Sequence, residues 1–285
     1  KRITNSQLHL GEQASVTREQ TVADYGITSD QVVFTTTTGE GDDDVRISQR
    51  DDGTLDVEVN GESYAVRLTE RQELTLRTGG GNDTITAAPN VTVNLVIDAG
   101  AGDDVIRTGM GDDRIFGGDG NDTIETIGGR NDIDGGNGDD TLIGGDGDNI
   151  IFGGAGNDVI RAGSGFNFIE GGLGNDEISG GAGQNILSGG RGDDIIHVDA
   201  SGRSSAYAGL GNDTINGAGA NDLVYTEVGD LVNAATGARP TVVNVEIDTS
   251  AGQTIAVTGS EQFRQRVESE LDFLRSSAAG TQMLS

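Results

Sequence analysis

The stretch GGDGNDTIETIGGRNDID at residues 117–134 decides the fold, because it holds one clean and one weaker copy of a nine-residue phrase, Gly-Gly-x-Gly-Asn/Asp-Asp-x-Ile-x. The phrase recurs in register over residues 99–197. A repeat this short cannot bury a core alone, so its copies are predicted to stack as an all-β solenoid, each supplying one turn and one short strand. Its eighth position holds a branched aliphatic residue, from Ile106 to Ile196, which is predicted to point inward.

The sixth position of the phrase indicates that the true period is eighteen residues. From Asp122 onward this position alternates between aspartate and asparagine, so two phrases form one coil and residues eighteen apart stack. One flank is then predicted to carry carboxylates and the opposite flank mainly amides. The first comprises Asp104, Asp122, Asp140, Asp158, Asp176 and Asp194, and the second comprises Asp113, Asn131, Asn149, Asn167 and Asn185.

The carboxylate column requires a counter-ion. Coils are spaced by roughly 4.8 Å, and two unit charges ~5 Å apart repel by roughly 3 kcal/mol at an effective dielectric constant of about 20. Ca²⁺ is the natural cation, because it takes roughly six to eight oxygen ligands, including the backbone carbonyls that glycine turns leave accessible. Asparagine keeps the shape without the charge, so the amide flank is predicted to be largely free of calcium, with Asp113 and Asp222 as candidate exceptions.

Composition narrows the classes of function. The net charge is −29 and hydrophobic residues make up only 33% of the chain, which is close to the composition of disordered proteins. Calcium binding and folding are therefore expected to form one equilibrium. The acidity argues against a nucleic-acid partner, no apolar run is long enough to span a membrane, and the lack of cysteine excludes disulfides and zinc–thiolate sites.

The phrase resembles the calcium-binding nonapeptide of the repeat-in-toxin (RTX) family, closely over residues 78–225. The resemblance implies a right-handed parallel β-roll with a single column of calcium ions between stacked loops. It implies that each ion contacts the sixth-position aspartates of two coils, the carbonyls of positions two and four below, and those of positions one and three above. For the first site, these residues are Asp104, Gly100, Gly102, Asp122, Gly117 and Asp119.

The same pattern, carried along the column, implies five further sites. They lie at Asp122/Asp140, Asp140/Asp158, Asp158/Asp176, Asp176/Asp194 and Asp194/Asp213, and the last spans a stretch with one extra residue that is predicted to bulge. The implied carbonyl donors are Gly118, Gly120, Gly135, Asn137, Gly136, Gly138, Gly153, Ala155, Gly154, Gly156, Gly171, Leu173, Gly172, Gly174, Gly189 and Arg191.

The remaining sequence divides into flanking segments. Residues 1–30 form a polar N-terminal segment, 31–98 opening coils, 99–225 the β-roll, 226–258 strands that cap it, and 259–285 an amphipathic helix and tail. Within the opening coils, residues 38–45 and 78–85 repeat the glycine–aspartate loop. Between these loops, alternating apolar and polar residues around Asn60-Gly61 predict an inserted β-hairpin.

Two short segments resemble a second family and suggest which domain accompanies the β-roll. Gly259-Ser260-Glu261-Gln262-Phe263 and the strands around Val59-Asn60-Gly61 look like parts of type III effector-like bacterial zinc metallopeptidases. That resemblance implies a C-terminal peptidase domain in the full-length protein. His9 and His197 are the only histidines and no His-Glu-x-x-His motif occurs, so a peptidase centre within this chain is not expected.

A group of aromatic and aliphatic residues falls outside the inward positions and is predicted to form an apolar stripe, covered by the N-terminal segment, by a protein partner or by a second copy. The stripe comprises Phe116, Ile150, Phe152, Phe166, Phe168 and Ile186.

The leading hypothesis is a non-catalytic calcium-binding module that folds on binding the ion. It would serve as scaffold and folding switch of a toxin-like virulence effector that bacteria secrete or translocate into a host cell. An adhesin or interaction module that uses the amide flank is one alternative. A polysaccharide-active solenoid enzyme that pairs calcium with Arg107 and Arg161 is the other.

Overall fold

The computed structural model describes residues 2–23, 26–37, 39–70, 72–199, 201–248 and 254–257, and these form 26 strands and no helix. The predicted amphipathic helix lies outside the described residues. The strands are β1 (Arg2–Leu10), β2 (Ala14–Ala23), β3 (Gly26–Thr36), β4 (Asp44–Gln49), β5 (Leu55–Val59), β6 (Glu62–Val66), β7 (Gln72–Gly80), β8 (Thr84–Ala87), β9 (Leu95–Ala101), β10 (Val105–Arg107), β11 (Arg114–Asp119), β12 (Thr123–Glu125), β13 (Asp132–Asn137), β14 (Thr141–Ile143), β15 (Ile150–Ala155), β16 (Val159–Arg161), β17 (Gly165–Leu173), β18 (Glu177–Ser179), β19 (Gly183–Arg191), β20 (Ile195–His197), β21 (Ser205–Leu210), β22 (Thr214–Asn216), β23 (Leu223–Thr226), β24 (Leu231–Asn233), β25 (Thr241–Asp248) and β26 (Thr254–Val257).

The repeats wind into a parallel β-solenoid of about nine turns, as predicted. Within the repeats, successive strands alternate between a 14-stranded sheet that contains the odd-numbered strands and a 12-stranded sheet that contains the even-numbered ones. Ile115 pairs with Ile133, and Ile133 with Ile151, so stacked residues are eighteen apart. The predicted coil length is therefore confirmed.

The core is a double row of aliphatic side chains between the two sheets. Their inward orientation follows because residues i and i+2 of a strand share one face, which leaves only one or two inward positions in strands this short. The eighth-position residues are fully buried, as predicted, at Ile106, Ile115, Ile124, Ile133, Leu142, Ile151, Ile160, Ile169, Ile178, Leu187 and Ile196.

The predicted hairpin is β5–β6, joined at Asn60 and Gly61. Both residues have positive φ, 49° and 85°, as a two-residue turn between right-twisted strands requires. Strand β5 pairs antiparallel with β4, so the hairpin extends the edge of the 12-stranded sheet.

The N-terminal segment is built of strands that its polar composition did not predict. Strand β2 pairs antiparallel with both β1 and β3, and β3 joins the solenoid by pairing parallel with β7. These strands therefore continue the 14-stranded sheet at its edge. At the other end, β25 and β26 form the last antiparallel pair, within the segment where capping strands were predicted.

Candidate metal centre

The loops that lead from the 14-stranded to the 12-stranded sheet have one conformation in coil after coil. Their second and fourth positions are glycines with positive φ, for example 120° at Gly118 and 128° at Gly120. Side chains rarely tolerate such φ values, so glycine is required for the backbone itself. The aspartate at position six therefore occupies the same place in every coil.

These loops stack their aspartates into a continuous column, which we call the aspartate column. Each backbone N–H donates to Oδ1 of the aspartate one coil further on, as from Asp122 to Asp140 at 2.7 Å and from Asp140 to Asp158 at 2.8 Å. The column contains all the predicted positions and three more, Asp43, Asp83 and Asp230. Its members are Asp43, Asp83, Asp104, Asp122, Asp140, Asp158, Asp176, Asp194, Asp213 and Asp230.

The second carboxylate oxygen, Oδ2, differs in hydrogen bonding between the inner aspartates and those at the ends of the column. Oδ2 is buried and lacks a hydrogen-bond partner in eight aspartates of the column, from Asp83 to Asp213. At the ends the situation differs, because the Asn60 amide donates to Asp43 Oδ1 and the Glu227 N–H donates to Asp230 Oδ2. A buried carboxylate oxygen without a partner is costly, so the inner eight require a cation or a proton.

The first-position glycines make room for such a cation. Gly117 does not have positive φ, so its backbone conformation does not demand glycine. A Cβ added to Gly117 would lie 2.3 Å from Asp122 Oδ2 and 2.6 Å from the carbonyl oxygen of Gly135 in the next coil. Two oxygens thus converge on a small space that any side chain would fill.

The same space recurs in five successive coils. At Gly117, Gly135, Gly153, Gly171 and Gly189, an added Cβ would lie 2.3 to 2.4 Å from the aspartate Oδ2 and 2.3 to 2.7 Å from the next carbonyl. A carboxylate and a carbonyl are the hard oxygen donors that Ca²⁺ prefers. The described residues contain no cluster of three or more His, Cys, Asp or Glu side chains able to hold a metal. The donors that do converge here are carboxylate and backbone carbonyl oxygens, which suit calcium better than zinc.

The opposite loops lead back to the 14-stranded sheet and carry the amides, which we call the asparagine column (Asn131, Asn149, Asn167 and Asn185). Here too each sixth-position side chain accepts a backbone N–H from the preceding coil, as Asn167 Oδ1 does from Asn149 at 3.1 Å. The second atom of the side chain is now an amide nitrogen. Among the described residues, none of these four side chains has a buried polar atom without a partner.

The amide nitrogen donates to the carbonyls that correspond to the predicted calcium ligands of the other flank. Asn149 Nδ2 donates to the second- and fourth-position carbonyls of its own loop, Gly145 at 3.4 Å and Gly147 at 3.1 Å. Asn131 Nδ2 donates to the first-position carbonyl of the next coil, Gly144, at 3.3 Å. The carbonyls of the asparagine flank are therefore satisfied by N–H donors, whereas a cation could satisfy the corresponding carbonyls of the aspartate flank.

The two candidate exceptions on this flank differ from each other. Asp113 Oδ2 is buried without a partner, like the aspartate column. Asp222 is satisfied at both oxygens, because Ser204 N–H donates to Oδ1 at 2.8 Å and Gly219 N–H donates to Oδ2 at 2.6 Å. Of these two aspartates, only Asp113 has a buried carboxylate oxygen without a hydrogen-bond partner.

Burial changes the acidity of the aspartate column. Loss of solvent around the charged form, reinforced by neighbouring carboxylates, raises the pKa of Asp104, Asp140 and Asp194 to about 7. Burial likewise raises the pKa of Asp122 and Asp176 to about 6. Backbone N–H groups partly offset these increases by donating to the charged carboxylates. At neutral pH without metal, these five carboxyl groups therefore lie close to their titration range.

These pKa values predict an inverted pH dependence for the calcium-free chain. Folded carboxyl groups with raised pKa hold more protons than unfolded ones between about pH 4 and 7, so folding weakens as the pH rises through this window. We expect the decalcified chain to gain strand content when the pH is lowered from 8 to 5, as measured by circular dichroism. Strand content that instead falls on acidification would contradict this expectation.

The other sequence candidates lie apart from this column. Arg107 and Arg161 form surface ion pairs with Glu125 and Glu177 of the next coil, both at 3.3 Å. The described residues contain no helix that is both long and apolar enough to cross a membrane.

The predicted apolar stripe lies on strands β11, β15, β17 and β19 of the 14-stranded sheet. Phe116 is 40% exposed and Phe166 48%, while the rings of Phe152 and Phe168 are in contact with centroids 5.9 Å apart. The described N-terminal strands lie in the plane of this sheet beyond β7, so they do not cover the stripe. A covering partner or second copy stays a prediction.

The comparisons with known proteins agree with this geometry. The model of the family described as RTX calcium-binding nonapeptide repeat (4 copies) matches residues 75–88, 96–124, 126–160, 161–196 and 200–230, which is just over half of the chain. The comparison with curated proteins found no matching relative.

Proposed function

Because this chain belongs to the family of RTX calcium-binding nonapeptide repeats and binds calcium, we propose that its β-roll acts as a folding switch. The β-roll is unfolded without calcium and folds when calcium binds. The observation that carries the proposal is the row of eight buried Oδ2 atoms without partners. Adjacent carboxylates ~5 Å apart repel by roughly 3 kcal/mol at a dielectric constant of about 20. Each ion replaces that repulsion with attraction to two carboxylates at once.

Binding and folding are coupled in this proposal because each site exists only between stacked coils. Asp122 Oδ2 and the Gly135 carbonyl come from two coils and are thirteen residues apart in the chain, and they converge only in the solenoid. An ion that binds the folded chain alone stabilises it by about 2.7 kcal/mol per site when its concentration is 100 times Kd. Several sites in series would therefore decide whether this acidic chain folds.

We further propose that the ions occupy one flank. The asparagine column satisfies its own carbonyls through Nδ2, so an ion there would have to break hydrogen bonds and would gain no carboxylate. The aspartate column offers both charge and free oxygens. The predicted ligands from Asp104 to Asp213 are therefore the candidates for the proposed calcium column.

Family membership supports the biological setting. RTX repeat proteins are typically secreted by bacteria, and their repeat domains are generally non-catalytic structural modules. We propose that this β-roll serves as a scaffold within a secreted bacterial protein, folding where calcium is abundant. Its role in a toxin-like effector, or beside a peptidase domain, is the finer form of the same proposal.

The test is the folding of the chain with and without calcium. We expect a coil-like circular dichroism spectrum in chelator at pH 7.5 and a strand spectrum after calcium addition, with a midpoint of roughly 0.1 to 1 mM, as in extracellular calcium modules. Magnesium at equal concentration is the control and should act weakly, because Mg²⁺ demands a tighter octahedral shell. An unchanged strand spectrum in chelator at that pH would refute the switch.

A further inference from the structure

The first position of the aspartate-side loops changes systematically along the solenoid. The strand register places one such residue above the next, because Gly118 pairs with Gly100, Gly100 with Gly79, and Gly190 with Gly209. In chain order, the residues that this strand register aligns are Thr36, Thr78, Ala99, Gly117, Gly135, Gly153, Gly171, Gly189, Ala208 and Thr226. Thr36 and Thr226 align by register, although they lie seven and four residues before Asp43 and Asp230 instead of the usual five. Glycine occupies the middle, alanine both sides of it, and threonine both ends.

The alanines fill the space that the glycines leave open. In the glycine coils, a Cβ would lie within 2.4 Å of the aspartate Oδ2, closer than any real contact allows. Ala99 and Ala208 carry that Cβ and are fully buried at 0% and 1% exposure. In their coils, a methyl group takes the place where Oδ2 and the next carbonyl would converge on an ion.

The threonines at the N-terminal end replace the ion with a hydroxyl group. Thr78 Oγ1 donates to the carbonyl oxygen of Ala99 at 3.0 Å, and Thr36 Oγ1 donates to that of Thr78 at 2.8 Å. These are the first-position carbonyls of the next coil, which the middle coils present to the proposed ion. At this end of the solenoid, a hydroxyl group therefore donates to the carbonyl that the middle coils would present to metal, while Asp83 Oδ2 remains without a partner.

We infer that first-position side chains set the length of the calcium column, so that it holds five equivalent ions between Asp122 and Asp213 and ends at Ala99 and Ala208. This inference rests on the proposed calcium function. The pair Asp104/Asp122 has both carboxylates but lies above Ala99, so it is not equivalent to the other five. The spacing of the carboxylates alone would predict a sixth site at this pair, whereas the methyl group of Ala99 excludes one.

The test counts bound calcium per chain by equilibrium dialysis and native mass spectrometry. Wild type should bind five ions, Ala99→Gly six, and Gly153→Ala four, because each change opens or closes one space. Ala101→Gly is the matched control, since Ala101 lies two residues further along the same coil and is exposed, whereas Ala99 is buried; it should leave the count at five.

The outcomes separate this inference from the proposed function. A chain that binds no calcium would refute the proposed function. Calcium-dependent folding with a wild-type count other than five, or with the same count in Ala99→Gly as in wild type, would overturn the inference alone. Because Ala99→Gly is expected to gain a site, the test does not depend on whether Gly153→Ala folds.

Discussion

A chain in which five aspartates of the column are replaced by asparagine is expected to fold without calcium and to lose its response to the ion. The replaced residues are Asp122, Asp140, Asp158, Asp176 and Asp194. The reason is visible on the opposite flank, where Asn149 Nδ2 donates to Gly145, Gly147 and Asn167 Oδ1. Asparagine would keep the backbone hydrogen bond at Oδ1 and supply a donor in place of the unpartnered Oδ2.

The expected gain in stability of the calcium-free fold is large, because two changes both stabilise it. Replacement removes repulsion of roughly 3 kcal/mol for each adjacent pair at ~5 Å, and each new hydrogen bond contributes roughly 0.5 to 1.5 kcal/mol. We expect a strand spectrum in chelator that calcium does not change. Urea denaturation in chelator should then give a cooperative transition that wild type lacks.

A control with the same change in net charge isolates the effect of position. Asp51, Asp52, Asp98, Asp112 and Asp132 are exposed and lie outside the aspartate column. Their replacement by asparagine should leave the calcium dependence of folding intact. If this control also folds in chelator, then net charge and not the column governs the switch.

Removing the side chains altogether should separate the two flanks. Asp140→Ala with Asp158→Ala deletes proposed ligands of three adjacent sites, Asp122/Asp140, Asp140/Asp158 and Asp158/Asp176. We expect this double variant to lose three bound ions and to need at least tenfold more calcium to fold. Isothermal titration calorimetry would measure the count, and circular dichroism the folding midpoint.

The matched double variant on the other flank, Asn149→Ala with Asn167→Ala, should behave differently. It leaves buried carbonyls without the donors they now have, which costs roughly 1 to 3 kcal/mol per group. The urea midpoint in saturating calcium should fall while the number of bound ions stays the same. Equal loss of calcium from both double variants would contradict the one-flank proposal.

Two residues of the aspartate column, Asp43 and Asp83, could not be placed in register from the sequence. Asp83 lies 21 residues before Asp104 and Asp43 lies 40 before Asp83, so neither keeps the eighteen-residue phase. The glycine–aspartate loops around both residues were recognisable, but their register was not. The hairpin β5–β6 is added at the edge of the 12-stranded sheet. Strand β8 of the next coil therefore still pairs with β4, although the hairpin lies between them in the chain.

The sequence by itself determined the coil of eighteen residues, the inward aliphatic rows and the division into an aspartate and an asparagine flank. It could do so because a parallel solenoid stacks each residue on its own repeat, so sequence period and spatial neighbourhood coincide. Tertiary structure alone decided which oxygens lack partners and where Ala99, Gly117 and Thr78 place or omit a Cβ beside them. Those properties depend on atoms of two different coils, and their separation of a few ångströms is set only when the coils pack.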